Sequence, residues 1–116
     1  DMGSFATWRN FVRDDILREL TYTNRIFTGE EGKELGFVTH LSENPHARAM
    51  EIAREIASKH PQAVQVAKDL INHLPDMNED EILMMESVGQ EKVSRTPNQV
   101  EAVMAFMQKR AANFTD

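Results

Sequence analysis

Four prolines, at positions 45, 61, 75 and 97, divide the last two thirds of this chain into lengths that suit single helices. Proline has no N–H and its ring clashes with the preceding turn, so it disrupts a helix interior but is harmless in the first turn. The chain between them must therefore fold as successive short helices. Asn44-Pro45 opens one, with Met50, Ala53, Ile56 and Ala57 on its apolar face and an end near His60, ahead of Pro61. Pro61 fits the first turn of the next, whose apolar side carries Ala63, Val64, Ala67, Leu70, Ile71 and Leu74, and Pro75 closes it. Asn78 with Glu81 makes a capping box for a third, with Ile82, Met84, Met85 and Val88 apolar and Gly89 weakening its middle. Thr96-Pro97-Asn98-Gln99 combines a cap, a proline at the first helical position and a glutamine at the third. Val100, Val103, Met104, Met107 and Ala111 follow it.

Upstream, Trp8, Phe11, Val12, Ile16 and Leu20 recur at three- and four-residue steps. Arg9, Arg13, Asp14, Arg18 and Glu19 fall mostly outside that stripe, which predicts one amphipathic helix over residues 5–20. The stretch R-I-F-T-G-E-E-G-K-E-L-G-F-V-T-H-L, residues 25–41, carries several agreeing signals. Thr28 and Glu31 form a capping box, Gly36 stands where a helix stops in a left-handed conformation, and residues 37–41 read as an extended, β-prone run. The expected fold class is mainly α, with one short extended segment.

Composition removes several function classes. Nineteen acidic residues against thirteen basic ones give a net charge of −6, and no lysine- or arginine-rich run occurs, which argues against nucleic acid as a partner. No apolar run approaches the roughly 18–20 residues that span a bilayer, so no membrane partner is expected and a cytoplasmic location is. The chain opens on Asp1 rather than an initiator methionine, with no basic-then-apolar leader, which predicts that it belongs to a longer one. It has no cysteine, hence no disulfide or thiolate metal site. His40, His46, His60 and His73 lack a metal-ligand spacing, so no metal is expected. All four read as structural, His60 and His73 near helix ends where a cationic imidazole is favourable. Glu30, Glu31, Glu79, Asp80 and Glu81 fall at helix starts, where negative charge complements the helix dipole. No Ser/His/Asp arrangement can be argued from spacing, and no glycine-rich phosphate loop is present. Seven methionines suggest adaptable packing faces, which either build an ordinary core or meet a partner.

Taken with the tail V-E-A-V-M-A-F-M-Q-K-R, residues 100–110, the 25–41 stretch resembles the C-terminal half of the crotonase family, the enoyl-CoA hydratases and isomerases. The matching positions are Thr23, Arg25, Phe27, Thr28, Glu30, Glu31, Leu35, Gly36 and Val38, then Ala105, Phe106, Lys109, Arg110 and Phe114. This resemblance covers nearly the whole chain. It implies the C-terminal helical region of a crotonase fold with the larger N-terminal half missing. Residues 1–41 would be the end of the core, and residues 42–116 the helical part that builds a homotrimer or a dimer of trimers. It also implies an acyl-CoA thioester as substrate, with no separate cofactor, and an enolate-like oxygen held by two backbone amides from the missing half. The isolated chain should therefore be inactive.

The same resemblance assigns candidate site residues. Asp1 would occupy the loop where dienoyl-CoA isomerases have a catalytic aspartate and a dehalogenase branch has a nucleophile; its other reading is a helix cap or solvated loop residue. Met2, Phe5 and Trp8 would lie close to the acyl group, or else share a packing face. Lys109 matches the family lysine that reaches the CoA phosphates, and Phe106, one turn earlier, the adenine end. A solvated cation near a helix C-terminus is the alternative for Lys109, and packing for Phe106. The stretch G-S-F-A-T-W-R-N, residues 3–10, departs from the usual G-G-T-Q-R-L-P-R. Hydration of an enoyl-CoA is the family default, and Asp1 tilts it toward double-bond isomerisation. The rival from another class is a helical oligomerisation or binding module without chemistry.

Overall fold

A computed structural model of the chain describes residues 2–115. Seven α-helices occur among them: α1 Ser4–Trp8, α2 Asp14–Thr23, α3 Gly29–Glu34, α4 Pro45–Ala57, α5 Pro61–His73, α6 Glu79–Val93 and α7 Pro97–Met107. No strand forms among the described residues, so the chain is mainly α as expected. Two compact units divide it, Asp1–Arg48 and Ala49–Asp116.

In the first unit the helix expected over residues 5–20 is broken. α1 ends at Trp8, a turn follows in which the Phe11 and Val12 amides both donate to the Trp8 carbonyl at 2.9 and 3.1 Å, and α2 begins at Asp14. Local chemistry at the restart accounts for this. Asp14 and Asp15 occupy the first turn of α2, where the helix dipole stabilises negative charge, and Arg13 pairs with Asp15. The break also lets Val12 be buried, one of two buried apolar side chains among the described residues. α2 stops at Asn24, whose left-handed backbone (φ +49°) asparagine tolerates better than most residues.

Thr28 caps α3 by accepting the Glu31 amide at 3.2 Å, but Glu31 does not complete a capping box. Its carboxylate instead meets the Arg25 guanidinium at 2.7 Å. At the other end Gly36 adopts φ +91°. Its amide donates to Lys33 O at 3.2 Å and the Phe37 amide reaches back to Gly32 O at 2.8 Å, the two bonds of a Schellman stop. The extended run expected over residues 37–41 is loop rather than strand. A β-prone segment gains a ladder only from a neighbouring strand, and none exists among the described residues.

Proline and cap signals place the remaining helices well. Asn44 accepts the Ala47 amide at 3.0 Å ahead of α4. Asn78 and Glu81 exchange both capping-box bonds, at 2.9 and 3.0 Å, and Thr96 accepts the Gln99 amide at 3.2 Å. Pro75 lies in a 3₁₀ turn, Leu74–Asp76, that ends the α5 segment. In the second unit α5 packs on α6, and the two come close at Gly89: a Cβ there would stand 2.6 Å from Val66 Cγ1. The glycine that lowers helix preference in α6 is therefore what lets the two helices meet.

His60 behaves differently from expectation. It stands at the N-cap of α5, where Nδ1 accepts the Ala63 amide at 3.4 Å. His60 thus caps a helix start, whereas His73 lies in the last turn of α5, 3.6 Å from Asp69. Most apolar faces stay uncovered in this chain. Leu83, Met84, Ile71, Phe106 and Met107 are all exposed, and no large side chain is fully buried among the described residues. The α4 face of Met50 and Ile56, expected to meet a core, is likewise half open.

Candidate functional site

The candidate residues fall into two groups, one in each compact unit. In the first unit, Asp1 lies outside the described residues, and Met2 beside it is almost fully exposed. Phe5 and Trp8 stand three residues apart on the five-residue helix α1, yet they line different clefts. Phe5 borders an open cleft of about 320 Å³ with Arg9, Asp14, Leu17, Arg18, Thr21 and Tyr22. This cleft is polar and charged on one side, where Arg18 donates to Asp14 at 2.6 Å and to the Tyr22 hydroxyl at 3.3 Å.

Trp8 borders a smaller cleft of about 210 Å³, together with Leu17, Leu20, Thr21, Arg25, Phe27 and Phe37. Its ring meets Phe37 edge-on at 5.1 Å, and Phe37 in turn lies 5.1 Å from Phe27. The edge-to-face Trp8–Phe37 pair places ring hydrogens toward a π face, which is favourable beyond simple burial. Arg25 closes one side, paired with both Glu31 at 2.7 Å and Glu19 at 3.2 Å, which hold its guanidinium firmly protonated. The Schellman turn at Gly36 delivers Phe37, so the cap signal in the sequence contributes to the cleft even though no strand follows it. Sequence reasoning did not connect Phe27 and Phe37 to Trp8, because nothing in their spacing indicates that they meet.

In the second unit, Phe106 is 85% exposed, so it is not packed within this chain. Lys109 lies beyond the last turn of α7 rather than on it. Its φ is +52°, its amide donates to Phe106 O at 3.1 Å, and the next amide, of Arg110, donates to Ala105 O at 3.0 Å. These bonds repeat the Schellman pattern seen at Gly36, with a lysine in the position that glycine favours. Lys109 is exposed just past the carbonyl end of α7, where a cation is favourable.

The tail after Lys109 is folded back and tied. Arg110 donates to both oxygens of Glu101, at 2.5 and 2.8 Å, and the same carboxylate accepts the Asn113 amide at 2.8 Å. Arg110 and this amide hold Glu101 down at about 2. Asn98, buried at 5% exposure, donates to the Thr115 carbonyl at 2.6 Å and to Gln62 at 2.8 Å, and accepts the Thr115 amide at 2.9 Å. Phe114 stacks on His60 at 5.7 Å. Neither Glu101 nor Asn98 stood out in the sequence, since a helical Glu and Asn usually face water.

Among the described residues no three His, Cys, Asp or Glu side chains gather where they could hold a metal ion, and no helix is long and apolar enough to cross a membrane.

Comparison with known proteins gives these groups a context. The family model for enoyl-CoA hydratase/isomerase matches residues 1–116. Mouse mitochondrial methylglutaconyl-CoA hydratase is 27% identical over 105 residues, which are 85% of this chain and 33% of that protein. An enoyl-CoA hydratase from Bacillus anthracis superposes with a TM-score of 0.77 at 34% identity, over 84% of this chain and 38% of that one. An enoyl-CoA hydratase from Polaromonas sp. JS666 shares the fold over 99% of this chain and 46% of its own, with a TM-score of 0.88 at 20% identity. The chain thus spans about a third of the length of these curated relatives. A family match from the first residue to the last, with a helical fold shared by solved relatives, places this chain in the enoyl-CoA hydratase/isomerase family.

Proposed function

We propose that this chain is the C-terminal helical part of an enzyme that acts on an acyl-CoA thioester, as an enoyl-CoA hydratase or isomerase. The observation that carries this reading is the family match over the whole chain. Catalysis passes through an enolate-like oxygen held by two backbone amides supplied from sequence outside these residues. No separate cofactor is required, because the CoA thioester itself acidifies the carbon that exchanges a proton.

Lys109 binds the CoA phosphates. Lys109 is exposed just past the carbonyl end of α7, and charge-assisted bonds to phosphate are short and strong. Phe106, exposed one turn before it, offers a flat apolar face to the adenine. In the first unit, the family resemblance puts Met2, Phe5 and Trp8 in contact with an acyl group. The aromatic cluster behind Trp8 supplies a stiff wall there. Asp1 acts as the acid/base that moves a proton between carbons, which favours isomerisation over addition of water. The uncovered faces of α4, α6 and α7 suit assembly into a homotrimer or a dimer of trimers.

The test is an assay of crotonyl-CoA hydration and of enoyl-CoA double-bond isomerisation. It compares the full-length protein carrying these residues, its Asp1→Asn variant, and residues 1–116 alone. Turnover by the full-length protein, loss of turnover with retained binding in Asp1→Asn, and silence of the 116 residues are expected. A full-length protein that binds no acyl-CoA would leave a helical assembly module and overturn the enzymatic reading.

A further inference from the structure

Lys109 occupies a left-handed backbone conformation that a side chain with a Cβ adopts reluctantly. Such a conformation persists where surrounding contacts over-determine it. Here the contacts come from both directions. Before Lys109, the helix end is closed by its own amide and that of Arg110. After it, the tail is tied at three places: Arg110 and the Asn113 amide to Glu101, and both backbone groups of Thr115 to Asn98.

Glu101 and Asn98 stand three residues apart on α7, hence on one face. One offers a carboxylate to a guanidinium and an amide. The other offers a carboxamide whose donor and acceptor match a peptide unit, as a neighbouring strand would. Asn98 is the one buried polar residue among the described residues, and its amide is further held by Gln62 on α5. The Lys109 side chain itself is exposed and takes no part in any of these bonds.

We propose that Glu101 and Asn98 are positioning residues for CoA recognition: by tying down the tail after Lys109 they hold its backbone in the left-handed turn and aim its ammonium at the CoA phosphates. This rests on the proposed contact between Lys109 and those phosphates. A lysine on a loose tail would lose backbone and side-chain freedom on binding, whereas here the backbone share of that loss is met on folding.

The experiment compares two saturated thioesters, butyryl-CoA and butyryl-pantetheine, which share the acyl end and differ in the nucleotide and its phosphates. Dissociation constants are measured with the full-length protein. Lys109→Met should weaken butyryl-CoA by about tenfold and leave butyryl-pantetheine unchanged. Glu101→Gln should weaken butyryl-CoA by about fivefold, again without touching butyryl-pantetheine, although removing a negative charge would by itself tighten a polyanion. Added to Lys109→Met, it should cost nothing further. Asn98→Ala, which frees the far end of the tail, should reproduce the same selectivity with a smaller loss.

Equal weakening of both thioesters by Glu101→Gln and Asn98→Ala would reduce the two residues to general scaffold and overturn the inference. So would full additivity with Lys109→Met. An effect of Lys109→Met alone, with Glu101→Gln silent, would overturn the inference and leave the phosphate contact standing. A silent Lys109→Met would overturn the phosphate contact and the inference with it.

Discussion

Gly89 in α6 lies so close to Val66 in α5 that a methyl group on its α-carbon would stand 2.6 Å from Val66 Cγ1. Real side chains do not approach so closely, and valine, stiff at χ1, cannot swing its methyl away cheaply. The helix preference of residue 89 and the packing of the pair therefore oppose one another.

Gly89→Ala gains roughly 1 kcal/mol of helix propensity but overpacks the contact at a typical cost of about 1–3 kcal/mol, so the net effect is destabilising. Urea unfolding followed by far-UV circular dichroism should show the loss. The double variant Gly89→Ala with Val66→Ala should recover most of it. An alanine at position 89 that stabilises the chain with Val66 in place would show that α5 and α6 do not meet here.

Asn78→Ala removes the side chain that accepts the Glu81 amide, and it leaves the Glu81 carboxylate on the Asn78 amide without its reciprocal bond. A loss of about 1 kcal/mol is expected, with Asn78→Asp nearly neutral because an aspartate accepts the same amide beside a positive helix end. Thermal midpoints of the three proteins decide this. Equal midpoints for Asn78→Ala and the parent would mean that the box contributes nothing.

Glu101 carries a pH dependence whose sign is fixed by its depressed acidity. Its carboxyl falls from an ordinary value of 4.5 to about 2 in the folded chain, chiefly through Arg110 and then the Asn113 amide. Folding therefore gains from this group above about pH 4.5, and the gain is lost as pH falls toward 2, where the folded carboxylate takes up its proton. Amide exchange at Asn113 and Thr115 should quicken over that window. In Glu101→Gln it should already be fast at neutral pH and vary little with acid beyond the intrinsic exchange chemistry. A Glu101 carboxyl that titrates near 4.5 by NMR would show that the Arg110 pair does not form in solution.

Lys109→Gly separates folding from binding. Glycine adopts φ near +52° without a Cβ penalty, so the substitution should stabilise the α7 stop by up to about 1 kcal/mol while abolishing the proposed phosphate contact. Higher thermal stability with weaker CoA binding is the expected pair of results. A less stable Lys109→Gly protein would contradict the left-handed assignment at this position.

How much of this chain could be read in advance follows from the range of the interactions involved. The starts of α4, α6 and α7 were legible because Asn44, Asn78 and Thr96 each act on an amide three residues away, and Pro45 and Pro97 fit the first turns that follow. The Gly36 stop was equally local, and it formed with both of its bonds. The break between α1 and α2 was not legible. The apolar stripe from Trp8 to Leu20 predicts one helix, whereas Asp14 and Asp15 occupy the first turn of a second.

Contacts between segments distant in the chain left no such trace. Nothing local announces that Phe37 meets Trp8, that Gly89 admits Val66, or that Asn98 holds Thr115 seventeen residues away. Glu31 shows the boundary between the two kinds of interaction. Its spacing from Thr28 predicts a reciprocal cap, yet its carboxylate was taken by Arg25, a stronger partner that the fold brings to 2.7 Å. The residue pattern alone determined a mainly α chain and most of its helix starts, because caps, prolines and apolar periodicity act within one or two turns. Which side chains share a cleft, and which conformation Lys109 must hold, depended on the folded chain, because those energies exist only once remote segments touch.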